Sequence, residues 1–131
     1  MIIKAFLPCR SGSQRIKNKN IRKFSKYKFG LIQLKVEQLI KVKEFNEIII
    51  STDDLKIINF LKKKKYKKIN VIKRPKNLSS SKTKTDDLID YSSKFFNKND
   101  HVLWTHVTSP LFDVKDYSNA IKVYKSKIMK Y

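Results

Sequence analysis

The stretch EIIISTDDLKIINFL, residues 47–61, decides the fold. Ile48, Ile49 and Ile50 follow one another without a polar break, the pattern of a fully buried strand. Thr52 or Asp53 then offers an oxygen that can cap the first turn of a helix. That helix is expected to turn Leu55, Ile58 and Leu61 inward. A buried strand running into a capped helix is half of a β–α–β unit, the crossover that parallel strands require.

The same alternation continues in both directions. Towards the amino terminus, residues 2–7 read as a strand bounded by Pro8, and residues 9–28 as a long, polar, aperiodic loop. Leu31, Leu34, Leu39 and Ile40 recur at helical spacing, which predicts a helix over 31–43. Towards the carboxyl terminus, the lysine run over 62–68 reads as a solvated helix end, where cations suit the helix dipole. A third strand is expected over 69–73, then a loop over 74–84. Thr85 or Asp86 opens a helix to about residue 96, with Leu88, Ile89, Phe95 and Phe96 as its apolar positions. Residues 101–105 read as a fourth strand. A last helix over 114–127 carries Tyr117, Ala120, Ile121 and Tyr124. Strand and helix alternate throughout, so the expected architecture is a three-layer α/β domain with a mostly parallel sheet, Rossmann-like, spanning 1–131. Ligands of such sheets bind beyond the carboxyl ends of the strands.

Composition narrows the classes. A chain of 131 residues with 40% hydrophobic residues, two glycines and three prolines suits one folded domain. One cysteine, Cys9, excludes an internal disulfide, and it reads as a small packing residue. The amino terminus lacks the pattern of a signal peptide, and no window has the length of a membrane span, so a cytoplasmic protein without a membrane partner is expected. The net charge of +20 admits two readings. One is a polyanion partner such as a nucleic acid. The other is the lysine, isoleucine and asparagine bias of an A/T-rich genome. Of 31 basic residues, the arginines are Arg10, Arg15, Arg22 and Arg74, and a dedicated nucleic-acid surface would use more. The aromatics also sit at apolar helix positions instead of interleaving a basic face. Both points favour the compositional reading.

The loop after the first strand, LPCRSGSQRIKNKN over 7–20, can hold a polyanion. Gly12 permits close approach of the backbone, Ser11 and Ser13 add donors, and Arg10, Arg15 and Lys19 supply cations. It is neither a Walker A loop nor a dinucleotide fingerprint. On charge alone, a solvated basic loop fits equally well.

Four ordered segments carry a resemblance. Pro8-Cys9-Arg10-Ser11-Gly12-Ser13-Gln14-Arg15 with Lys19-Asn20 is followed by Ile48 to Asp53, by Arg74-Pro75 with Leu78, and by Val107-Thr108-Ser109-Pro110-Leu111. Together they resemble the acylneuraminate cytidylyltransferases, the CMP-sialic acid synthetases with their pseudaminate and legionaminate relatives. The resemblance implies the nucleotide-diphosphosugar transferase fold and transfer of CMP from CTP to an acidic nine-carbon sugar, with release of pyrophosphate. It makes Arg10 and Lys19 the phosphate ligands on which catalysis leans, with Ser11, Gly12, Ser13, Arg15 and Asn20 around the nucleotide. It places the base near Arg74, Thr83 and Thr85, and the sugar near His106, Thr108 and Ser109. Mg2+ is the implied cofactor and a homodimer the implied assembly. The aspartates and the dimerisation segment that serve them belong to the carboxyl half of the family fold, which this chain lacks. A truncated or split enzyme, or a CTP-binding remnant without turnover, is therefore the expected alternative to a working transferase, with a basic nucleic-acid-binding domain as a further one.

Departures from the family pattern are local. Gln14 stands where many members have lysine, and Lys17 where proline is usual. His106 and Val107 replace a Gln-Pro pair; His106 can hydrogen-bond a sugar as glutamine would, while a lone histidine more often serves the structure. Asp53 reads equally as a helix cap and as a ligand.

Overall fold

The computed structural model of the protein describes residues 1–10, 23–75, 78 and 83–128. Among them run β1 (Ile3–Pro8), α1 (Gly30–Ile40), β2 (Glu47–Thr52), α2 (Leu55–Lys64), β3 (Ile69–Lys73), α3 (Thr85–Ser92), β4 (His101–Trp104) and α4 (Val114–Ile128). The four strands form one parallel sheet in the order β3-β2-β1-β4. The expected α/β architecture is therefore present, with each strand within one residue of its expected bounds.

The isoleucine run at 48–50 earns its burial from both sides. Ile48 and Ile50 join Ala5 and Leu7 in one core with Val36 and Leu39 of α1, Ile57 and Leu61 of α2, and Tyr117 and Ile121 of α4. Phe6 and Ile49 point to the opposite face, where Phe6 packs on Trp104 and Phe96 with ring centroids 4.7 and 5.9 Å apart. Asn46 fixes the register at the sheet's other end: its side-chain oxygen accepts from Ile3 N, and its own N–H donates to Ile3 O, both at 2.8 Å. No helix among the described residues is long and apolar enough to cross a membrane.

Three sequence expectations shift. The cap of α2 is Asp54, whose Oδ1 accepts from Lys56 N at 2.9 Å, not Thr52 or Asp53. Leu55 consequently stands 60% exposed at the first helical position, and Ile57 takes its place in the core beside Ile58 and Leu61. In the third helix, Ser92 and Ser93 turn their hydroxyls back to Ile89 O and Asp90 O, and the chain tightens into a 3-10 turn at Ser93–Phe95. In α4, Tyr117 and Ile121 are buried, whereas Ala120 and Tyr124 face outward.

Helix α1 begins at Gly30, whose φ of 77° lies in the left-handed region that only glycine enters freely. One turn in, Lys35 is fully buried. Its Nζ donates to Ser109 O at 2.7 Å, Phe112 O at 3.0 Å and the Tyr117 hydroxyl at 2.9 Å, and it lies 4.9 Å from the centre of the Tyr117 ring. Burial lowers its pKa from the usual 10.5 to about 8, while Asp113 and Asp116 pull the other way.

Two expectations test this account. Ile57→Ala should cost about 2–4 kcal/mol of unfolding free energy and Leu55→Ala under about 0.5, read by urea denaturation; equal costs would refute the phase of α2. For Lys35 the folded pKa lies below the unfolded one, so the full cost of the buried charge is present below pH 8. Between pH 8 and 10.5 the unfolded chain holds more protons, and stability rises with pH. The stability difference between wild type and Lys35→Met should therefore move in favour of wild type by on the order of 1–3 kcal/mol across that window. A flat difference would show that Lys35 titrates like a surface lysine.

Candidate functional site

Three ladder bonds carry the sheet one residue past its strands. Cys9 N donates to Ser51 O, Arg74 N to Thr52 O and Thr105 N to Phe6 O, at 2.8, 2.8 and 2.9 Å. The residues that leave the carboxyl edge are thus held in register before they diverge. The order β3-β2-β1-β4 means that the chain leaves β1 towards β2 and returns on the far side to β4. Crevices open at such switch points.

A cleft of about 590 Å3 lies there, lined by Pro8, Arg10, Arg74, Thr85, Leu88, Ile89, Trp104 and His106. The volume falls within the range of small-molecule sites, and the lining has their usual character: apolar walls with a few converging polar groups. Leu88, Ile89 and Trp104 form the walls. The two guanidiniums, the Thr85 hydroxyl and the imidazole supply the polarity.

Arg74 is the most constrained of these groups. It is 4% exposed, and its Nε is buried without a hydrogen-bond partner. Burial lowers its pKa; Asp53 opposes that effect and Arg10 adds to it. Asp53, released from capping duty by Asp54, therefore acts on the cleft's charge. A buried donor left unmatched costs about 1–3 kcal/mol, so an orphan Nε on a cleft wall marks a place where an acceptor belongs. Tyr91 of α3 lies close enough to feel the same cation, although burial outweighs it and raises the phenol's pKa.

The structure brings Arg10, Arg74, Thr85 and His106 together. His106 is exposed on the cleft and is not a core residue. Thr83, Thr108 and Ser109 do not line the cleft. Ser109 is held by its carbonyl through Lys35, and Thr108 is exposed. Ser11, Gly12, Ser13, Arg15, Lys19 and Asn20 lie outside the described residues. Cys9 is buried, as a packing residue should be. Among the described residues no three His, Cys, Asp or Glu side chains gather as a metal cage. Asp53, whose charge acts on Arg74, does not make one, so no step is assigned to a metal.

Sequence reasoning missed Trp104 and Lys35. Trp104 could have been found as the large aromatic at the carboxyl end of the fourth strand. Lys35 lies four residues from both Leu31 and Leu39, on the apolar stripe of α1, and that position was its signal.

Solved structures share this arrangement. CMP:2-keto-3-deoxy-manno-octonic acid synthetase, complexed with CTP, matches with a TM-score of 0.73 and 18% identity, covering 96% of this chain and 48% of its own. A 4-diphosphocytidyl-2C-methyl-D-erythritol synthase from Anaerococcus prevotii DSM 20548 gives 0.63 and 16%, covering 94% and 50%. A cytidylyltransferase from Leptospira borgpetersenii serovar Hardjo-bovis (strain JB197) gives 0.65 and 17%, covering 94% and 48%. At these identities the likeness establishes the fold. The chain spans about half the length of each. No curated protein sequence matches it. A family model described as cytidylyltransferase matches residues 4–131, taking in all of the sheet but its first residue, Ile3, and every residue of the cleft, and on that match the chain belongs to the cytidylyltransferase family.

Proposed function

We propose that the cleft binds CTP and that the chain serves the transfer of CMP to an acidic nine-carbon sugar of the sialic acid type. The observation that carries this reading is Arg74: a dry guanidinium, short of one acceptor, on the wall of an apolar-sided crevice beside a second arginine. Cytosine offers a carbonyl and a ring nitrogen as acceptors, and a flat face that apolar walls can cover. Family membership and the CTP complex of a structural neighbour support the nucleotide. The sialate-type acceptor rests on the paired Lys19-Asn20 and the Thr108-Ser109-Pro110 turn.

In this reading Arg10, Arg15 and Lys19 steady the triphosphate, while Arg74 and Thr85 place the base. His106 faces the sugar from the β4 side. The oxygen of the anomeric hydroxyl attacks the α-phosphorus in line, losing its proton to water, as the bond to the bridging oxygen breaks, and that oxygen leaves with its electron pair on pyrophosphate. The chain's contribution is position and fixed charge, the two effects on which nucleotidyl transfer mainly depends. A second reading, nucleotide binding without turnover, is favoured by the lining among the described residues, which holds no carboxylate.

Removing one charged hydrogen-bond partner is worth about 1.5–3 kcal/mol, so Arg74→Met should weaken CTP binding roughly tenfold to hundredfold in calorimetry. Arg10→Ala should weaken it as well. Unchanged affinity in both variants would remove CTP from the cleft. CTP should also raise the melting temperature more than ATP at equal concentration, and equal protection would refute recognition of the base. Pyrophosphate release in the presence of CTP and N-acetylneuraminate separates transfer from binding alone.

A further inference from the structure

We infer that Lys35 is a positioning residue for the segment between β4 and α4, setting the loop that presents His106 to the cleft while leaving nucleotide binding alone. The consequence for the second substrate rests on the cytidylyltransferase reading; the tethering of the loop does not.

An ammonium has three hydrogens, and Lys35 places them on Ser109 O, Phe112 O and the Tyr117 hydroxyl. One turn later on the same helix, Gln38 Nε2 donates to Pro110 O at 3.0 Å. Three carbonyls of one short turn thus converge on α1. With Lys35 donating to its oxygen, the Tyr117 hydroxyl is free to donate onward to Thr105 Oγ1, 2.5 Å away. Thr105 is itself pinned by its N–H to Phe6 O. One cation therefore holds the loop in its middle directly and at its start through a single relay. Between the two anchors, Thr105 and Val107 are buried, so His106 is turned outward onto the cleft.

A lysine kept merely for packing would not need this arrangement. A buried charge is costly, and an apolar residue of similar volume often serves stability equally well. What an apolar residue cannot do is satisfy two converging carbonyls and a hydroxyl together. The charged groups acting on the ammonium are Asp113, just before α4, and Asp116 on α4, with Tyr117 in direct contact. None of them forms an ion pair with it. The loop is thus coupled to a proton that Lys35 holds more loosely than a surface lysine does.

The test uses the chain itself with Lys35→Met and Tyr117→Phe. Amide exchange at 105–112 should quicken roughly tenfold or more in Lys35→Met, and less in Tyr117→Phe, with β1 and β2 unchanged. In wild type, the amide signals of Ser109 and Phe112 should titrate together with a midpoint near pH 8, and Lys35→Met should abolish that step. CTP affinity should stay within about twofold in both variants, since Arg10 and Arg74 are held by ladder bonds of the sheet and Thr85 by α3, away from this loop. Unchanged loop exchange in both variants, or a rise shared equally by β1 and β2, overturns the inference. So does a CTP affinity that falls with the loop. Wild type that fails to bind CTP overturns the cytidylyltransferase reading instead and leaves the exchange result standing.

Discussion

A parallel sheet that keeps its first strand in the interior must send its connections off in opposite directions, and the cleft follows from that constraint. β1 pairs with β2 on one side and β4 on the other. The same core face takes α1, α2 and α4, while the residues around Phe6 meet the opposite layer through Trp104 and Phe96. Among the described residues, Leu88 and Ile89 of α3 and Trp104 of β4 wall the cleft at the carboxyl ends of the strands. Ladder bonds hold the backbone there to within a residue of Arg10, Arg74 and His106. Arg10 and Arg74 are therefore placed by the sheet, whereas His106 depends as well on the loop that Lys35 tethers.

The fold was largely legible because strands and helices leave different periods in the sequence. The isoleucines at 48–50 and the alternation around them left little choice of architecture. Phase was harder to read than period. Three oxygen-bearing residues, Thr52, Asp53 and Asp54, compete to cap α2. Each step along the chain turns a helix by about 100°, so the choice of cap decides which of Leu55 and Ile57 faces inward. The competition was settled by the hydrogen bond of Asp54. The site was legible in a different way. The motifs, and the family resemblance they carry, named Arg10, Arg74, Thr85 and His106, which line one cleft, and also Ser11, Gly12, Ser13, Arg15, Lys19 and Asn20, which lie outside the described residues. They also named Thr83, Thr108 and Ser109, which neighbour the cleft in sequence without lining it. Adjacency along a chain says little about the direction a side chain takes once a turn intervenes.

Lys35 shows how composition can conceal a residue. In a chain where nearly every basic position is lysine, one more on a helix attracts no notice. Most of the others are exposed, and among the described residues the ion pairs belong to Lys4 with Glu47 and Asp100. Lys35 differs by its place on an apolar stripe, four residues from a leucine in each direction. A charge on the wrong face of an amphipathic helix is expensive, and it persists where it has acceptors that no apolar side chain can match.

Arg74 carries a different consequence. Its guanidinium has been stripped of most of its hydration by the folding of the sheet, before any ligand arrives. A solvent-facing arginine must shed water at the moment of encounter, and much of its attraction is cancelled there. Here that reorganisation is complete in advance, so an incoming acceptor has chiefly its own hydration shell to lose. The crevice is in this sense already half dressed for its guest.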